Sequence, residues 1–213
     1  MGFISDIFSI IANLDSHLAE AIATYGATTY LLLFLIIFCE TGLVLTPFLP
    51  GDSLLFLIGT FVAKGDFDFT LITSLLIVAA ILGDAVNYYI GSLFGRRIFT
   101  SGKVRFLKLE YLDRTERFFE KYGAKTIIIA RFIPIVRTYA PFVAGVARYS
   151  YPQFLLFNVV GACIWVFSLV GVGFFLGELP FIQNNLTTVI FLIILLSISP
   201  ALIEWLKVRF NKQ

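Results

Sequence analysis

Long apolar runs, separated by short polar or charged breaks, set the organisation of this chain. Runs approaching the ~20 residues that cross a hydrocarbon core as a helix occupy 28–45, 69–95, 153–177 and 186–206, with shorter ones at 53–63 and 126–146. The N-terminal stretch is different, because Asp6, Asp15, His17 and Glu20 interrupt its apolar residues. It also lacks the basic n-region and small-residue cleavage site of a secretory signal, so it predicts an amphipathic helix over 1–25. Full transmembrane helices are expected at 69–95, 153–177 and 186–206.

Two apolar segments, 28–63 and 122–149, carry helix breakers in their middle. In the first, Pro47, Pro50 and Gly51 separate a half-helix ending near Leu45 from another beginning at Asp52. In the second, YGAKTIIIARFIPIVRTYAPFVAGVARY, Pro134 and Pro141 remove backbone donors and Gly145 permits a turn. Each is expected to fold as a re-entrant pair of half-helices whose apex is buried in protein or lines a watery cavity, since irregular backbone is not tolerated against lipid. The breaks read alike, PFLPG at 47–51 and PFVAG at 141–145, and the pattern suggests an inverted-topology repeat with two opposed hairpins.

Composition agrees with this class. Of 213 residues, 59% are hydrophobic and 14% charged, whereas soluble domains carry about a quarter charged residues; the mean hydropathy is +0.92. The expectation is an all-α integral membrane protein, a single membrane domain over 1–213. Between Arg96 and Lys125 lie nine Lys or Arg against four acids, and the tail adds Lys207, Arg209 and Lys212. The positive-inside rule places both regions in the cytoplasm, with 96–121 an amphipathic basic segment. Cys39 and Cys163 are too few for a disulfide scaffold or a metal site. His17 is the only histidine, and no GxSxG, HExxH or P-loop pattern is present, so enzymatic readings fare badly.

The candidate chemistry is charge inside the membrane. Glu40 and Asp52 fall in the first re-entrant segment, Arg131 and Arg137 in the second. Each ionised group near the bilayer centre costs at least ~2.5 to 3.5 kcal/mol on insertion scales, so these four must pair with one another, with water or with a ligand. A purely structural role, two salt bridges pinning the half-helices with Asp52 and Ser53 capping the second of them, is one reading. It is the weaker one, because desolvation offsets most of the attraction in a buried pair. Arginine keeps its charge and offers a planar fork of donors, so Arg131 and Arg137 suit an anionic head group. Glu40 and Asp52 are the expected proton carriers, exchanging partners with the arginines. In GDAVNYYIGSLFG, Asp84, Tyr88, Gly91 and Gly95 recur along one helix face, with Asn87 beside it. Asp84 is expected to support the site or a proton route, and the glycines to permit close helix packing.

Three stretches, FCETGLVLTPFLPGDSLLF, GDAVNYYIGSLFG and ARFIPIVRTYAPFVAG, are similar in order and spacing to the signature blocks of the bacterial DedA family, whose wider superfamily is called VTT or SNARE-associated. The similarity extends from about Ala19 to the C-terminus. The resemblance implies a bacterial inner-membrane protein with two opposed re-entrant loops, in a family tied to membrane homeostasis, envelope integrity and proton-motive force. Members are implicated in returning undecaprenyl phosphate across the cytoplasmic membrane, and eukaryotic relatives scramble phospholipids. The required acids of the family fall on Glu40 and Asp52, and its required arginines on Arg131 and Arg137.

The resulting expectation is a lipid translocase that moves a polyprenyl phosphate with proton coupling. Arg131 and Arg137 bind the head group, and Glu40 and Asp52 handle protons. Asp84, Tyr88 and Thr138 support them, as do the breakers Pro47, Pro50, Gly51, Pro134, Pro141 and Gly145. No cofactor, metal or nucleic acid is expected, membrane lipid is the partner, and homo-oligomerisation stays open. The alternatives are an uncoupled phospholipid scramblase and a structural or assembly factor.

Overall fold

The structure, a computed structural model, describes residues 14–43, 51–95, 123, 125–177, 179–186, 188–190, 192–193 and 195. Among these residues every regular element is helical: α1 (Leu14–Tyr25), α2 (Thr28–Gly42), α3 (Gly51–Ala63), α4 (Phe69–Ile90, continued by a π-helical turn Gly91–Gly95), α5 (Lys125–Ala130), α6 (Pro134–Val146), α7 (Tyr151–Leu176) and α8 (Pro180–Asn184). Among the described residues, two stretches are long and apolar enough to cross a membrane, Phe69–Phe94 and Tyr151–Leu176. They agree closely with the expected spans at 69–95 and 153–177. Pro47, Pro50, the basic segment 96–121 and most of 186–206 lie outside the described residues, as does the first half of 1–25.

The described residues fall into two compact units, one formed by 14–35, 51–76 and 166–195, the other by 36–43, 77–95 and 125–165. In the first unit α3 is the central helix, with every residue from Ser53 to Val62 buried. It packs on the C-terminal part of α7 at very short range. A Cβ on Gly173 would lie 2.0 Å from the Phe56 carbonyl oxygen, so only glycine admits this crossing. The turn before α4 is held by Asp68, whose Oδ1 accepts from Leu71 N at 2.7 Å as an N-cap, while its own N–H donates to the Tyr30 hydroxyl at 3.0 Å. Ser53, expected to cap α3, instead directs its hydroxyl at the Ile190 carbonyl at 3.5 Å.

In the second unit a core of Tyr88, Ile127, Ala130, Ala140, Ala144 and Phe154 joins α4, α5, α6 and the start of α7. The expected break in 122–149 is present, between α5 and α6. Arg131, Phe132 and Ile133 donate backbone hydrogen bonds to Ile128, Ile129 and Ala130, a tight three-residue spacing that ends α5. Ile133 is then extended (φ −120°, ψ 104°), as the residue before a proline must be, and Pro134 opens α6.

Two details of that segment differ from expectation. Pro141 makes no break, because α6 runs through it to Val146; a proline costs its helix one backbone hydrogen bond, and neighbouring helices in membrane proteins tolerate this. Gly145 makes no turn either. It is helical and serves close packing, since a Cβ there would sit 2.0 Å from the Tyr88 carbonyl oxygen. PFVAG is therefore helix interior, and the break falls ahead of it.

The close crossing in the first unit predicts opposite effects at two nearby glycines. Gly173→Ala should lower thermal stability in detergent by about 1 to 3 kcal/mol through overpacking, because its Cβ has no room. Gly171→Ala, whose Cβ would meet nothing within 4 Å, should be neutral or stabilising by up to about 1 kcal/mol. Equal melting temperatures for the two variants would contradict the packing described.

Candidate functional site

The polar groups of the second unit converge because three helix faces present them at helical spacing. α2 ends at Gly42, and a Cβ on Gly83 would fall 1.9 Å from Thr41 Oγ1, so small residues bring the last turn of α2 against α4. That contact places Glu40 beside the face of α4 carrying Asp84 and Asn87. From α7, Asn158, Gly161 and Trp165 follow at i, i+3 and i+7 and so share one face. A Cβ on Gly161 would stand 3.3 Å from Arg131 Cδ and Nε, so this residue leaves room for the arginine side chain. Arg131 enters from the break itself, and Arg137 from the first turns of α6.

Two ion pairs result. Arg137 Nη2 donates to Glu40 Oε1 at 2.7 Å. Arg131 Nη2 donates to Asp84 Oδ2 and also to Asn158 Oδ1. Glu40, Asp84, Arg131 and Arg137 are 3, 1, 1 and 5% exposed, so both pairs are almost wholly withdrawn from solvent and lipid. Trp165 lies under both guanidinium groups, its ring centroid 4.8 Å from Arg137 Cζ and 5.8 Å from Arg131 Cζ. The electron-rich face of the indole stabilises two like charges that would otherwise repel.

Neutral amides complete the arrangement. Asn87 Nδ2 donates to the carbonyls of Thr41 at 3.2 Å and Thr138 at 2.8 Å, tying α2, α4 and α6 together. Asn158 Nδ2 donates to the Ile81 carbonyl at 3.1 Å, which fixes its oxygen towards Arg131. Among the described residues, Asp84 Oδ1, Asn87 Oδ1 and Arg131 Nε and Nη1 are buried with no hydrogen-bond partner. Such groups are costly to bury unpaired, and their clustering marks a place where a polar ligand can gain interactions.

Of the residues singled out in the sequence, Glu40, Arg131, Arg137, Asp84 and Thr138 meet here. Arg131 takes Asp84 as its carboxylate, whereas the sequence had offered Glu40 and Asp52 as the partners of the two arginines. Asp52 belongs to the first turn of α3, in the first unit, directly after Gly51. Tyr88 holds the fold: its ring stacks on Phe154 with centroids 4.7 Å apart, and its hydroxyl donates to the Tyr149 carbonyl. Asn158 and Trp165 were missed. The available signal was an asparagine and a tryptophan seven residues apart in the middle of an apolar span, with a glycine on the same face. No group of three or more His, Cys, Asp or Glu able to hold a metal ion occurs among the described residues. The chemistry on offer is an arginine donor set for an oxyanion, opposed by two carboxylates.

Known proteins place the chain more closely. Residues 49–175 match the model of the VTT domain. Protein DedA of Escherichia coli K12 is 50% identical over 206 residues, covering 96% of this chain and 94% of the relative. An uncharacterized membrane protein of Mycobacterium leprae is 44% identical, covering 79% of this chain and 75% of the relative. Inner membrane protein YqjA of Escherichia coli K12 is 38% identical, with 71% and 69% covered. No solved structure matches the chain significantly. With a VTT domain over most of its length and half its residues shared with DedA, the chain belongs to the DedA family of membrane proteins.

Proposed function

We propose that this protein is a lipid translocase of the bacterial cytoplasmic membrane that moves a polyprenyl monophosphate, with undecaprenyl phosphate the substrate suggested by the family resemblance. Arg131 and Arg137 hold the phosphate head group while the isoprenoid tail stays in lipid. Glu40 and Asp52 couple the movement to protons. Segments 28–63 and 122–149 act as two opposed re-entrant hairpins, and 186–206 as the third full span. The basic segment 96–125 and the C-terminus face the cytoplasm.

The observation that carries this reading is the pair of buried arginines against one tryptophan ring. A membrane protein that needed only cohesion would gain more from apolar packing than from two desolvated ion pairs. Arginine is also the side chain whose donor geometry suits phosphate. A lipid substrate fits the size of the chain, because only the head group needs a polar path. Engagement of both arginines by carboxylates supports a second reading, a structural or assembly factor whose charges merely hold the helices together.

Reconstitution in liposomes separates these readings. The purified protein should speed access of polyprenyl phosphate to an external reagent, and a pH gradient should change the direction of net flux. Acceleration that ignores the gradient would favour an uncoupled scramblase, and no acceleration over empty liposomes would sink the translocase reading. Arg137→Lys keeps the charge but loses the fork; with about 1.5 to 3 kcal/mol in each charged hydrogen bond, transport should fall roughly tenfold or more. Trp165→Leu should also reduce transport and lower thermal stability by about 1 to 4 kcal/mol, from lost cation–π contacts and a cavity. Trp165→Phe, which keeps a weaker aromatic face, should be milder; equal loss in both would show that an aromatic ring as such contributes nothing at this position.

A further inference from the structure

The guanidinium of Arg131 is engaged at the one nitrogen that belongs to both of its two-point binding edges. Nη2 forms one edge with Nε and the other with Nη1. Its two hydrogens go to Asp84 Oδ2 and Asn158 Oδ1, while Nε and Nη1 are buried with no hydrogen-bond partner among the described residues. An oxyanion arriving at Arg131 therefore finds a free donor on each edge but no complete fork. To grip by two points it must take Nη2 from one of the present acceptors.

The two acceptors are not equivalent. Asn158 is neutral and anchored at its other end, Nδ2 to the Ile81 carbonyl. Asp84 is a second anion competing for the same cation, and its Oδ1 has no hydrogen-bond partner among the described residues. We propose that Asp84 is a competitor built into the site: it occupies the place on Arg131 that a phosphate-type oxyanion takes, while Asn158 keeps the guanidinium in position through the exchange. The inference rests on the arginine–phosphate reading above and assigns Asp84 and Asn158 as positioning and affinity-setting residues. A site that moves its ligand must bind it well enough to load and weakly enough to release. Competition by Asp84 supplies the weakness, because affinity falls by the fraction of molecules in which Arg131 is released.

Asp84→Asn keeps the shape of the side chain and removes the competing charge. Trp165 reports binding, since it touches both arginines and becomes the sole tryptophan of the full chain once Trp205 is replaced by Phe. In that background, phosphatidylcholine vesicles with increasing polyprenyl monophosphate should give half-saturation at a concentration about tenfold lower for Asp84→Asn than for Asp84, if Arg131 is free in about one molecule in ten. Turnover in the liposome assay should fall at the same time, lowering KM and kcat together. Asn158→Asp, which adds a second competing charge, should shift half-saturation the other way. Inorganic phosphate as a second probe separates the two ideas. A gain with phosphate but no response to the lipid would keep the role of Asp84 and overturn the lipid reading. Unchanged or weaker binding of both probes by folded Asp84→Asn would overturn the role of Asp84; should that variant fail to fold, unchanged or tighter binding by Asn158→Asp would do so.

Discussion

A charged side chain withdrawn from water must find a partner of opposite sign, and the second unit is built around meeting that demand for four side chains. Glu40, Asp84, Arg131 and Arg137 are each at most 5% exposed. Uncompensated, any one of them would cost several kcal/mol, comparable with the whole stability margin of about 5 to 15 kcal/mol. The architecture follows from their pairing. α2 has to stop where Glu40 can reach α6, the chain has to break where Arg131 can reach α4, and α7 has to present Asn158, Gly161 and Trp165 on one side. The glycines at 83 and 161 and the proline at 134 serve these meetings by removing atoms or ending a helix.

The same constraint explains why the helix break matters. A continuous helix over 125–146 would direct the side chains of Arg131 and Arg137 by helical rotation alone, whereas the tight turn at 131–133 lets each approach a different carboxylate. Both remain over one indole ring. Two cations against one aromatic ring, each neutralised by its own acid, form an arrangement in which an incoming anion can exchange with a resident one without leaving a bare charge on either arginine. A hydrophobic replacement would hold the helices at least as well. The retained polarity is what the proposed passage of a charged head group requires.

Much of this is legible in the amino-acid sequence. The spans at 69–95 and 153–177 follow from length and apolar continuity, and Pro134 signals the break in 122–149 because its ring removes a backbone donor; that it also opens α6 is seen in the structure. Pro141 and Gly145, read from sequence as parts of the same break, are helix interior. Spacing cannot distinguish a glycine in a turn from one under a neighbouring helix, and the contact with the Tyr88 carbonyl is a tertiary fact. That Glu40, Arg131 and Arg137 need partners was visible from charge in apolar sequence, but the pairing itself was not, since it depends on how each helix is rotated about its axis. Asp84 therefore appeared as support when it is the direct partner of Arg131. Asn158 and Trp165 escaped notice because an amide and an indole carry no formal charge. Their role comes from the arginines they face.

Whether the buried pairs chiefly hold each other or something that passes between them is decided by reversing one of them. Glu40→Arg combined with Arg137→Glu preserves an ion pair between α2 and α6 while moving the cation off the ring of Trp165. The doubly substituted protein should be close to the parent in thermal stability in detergent yet fail to move polyprenyl phosphate across liposomes. Transport at the parental rate would contradict a working role for the pair and leave it a structural clasp.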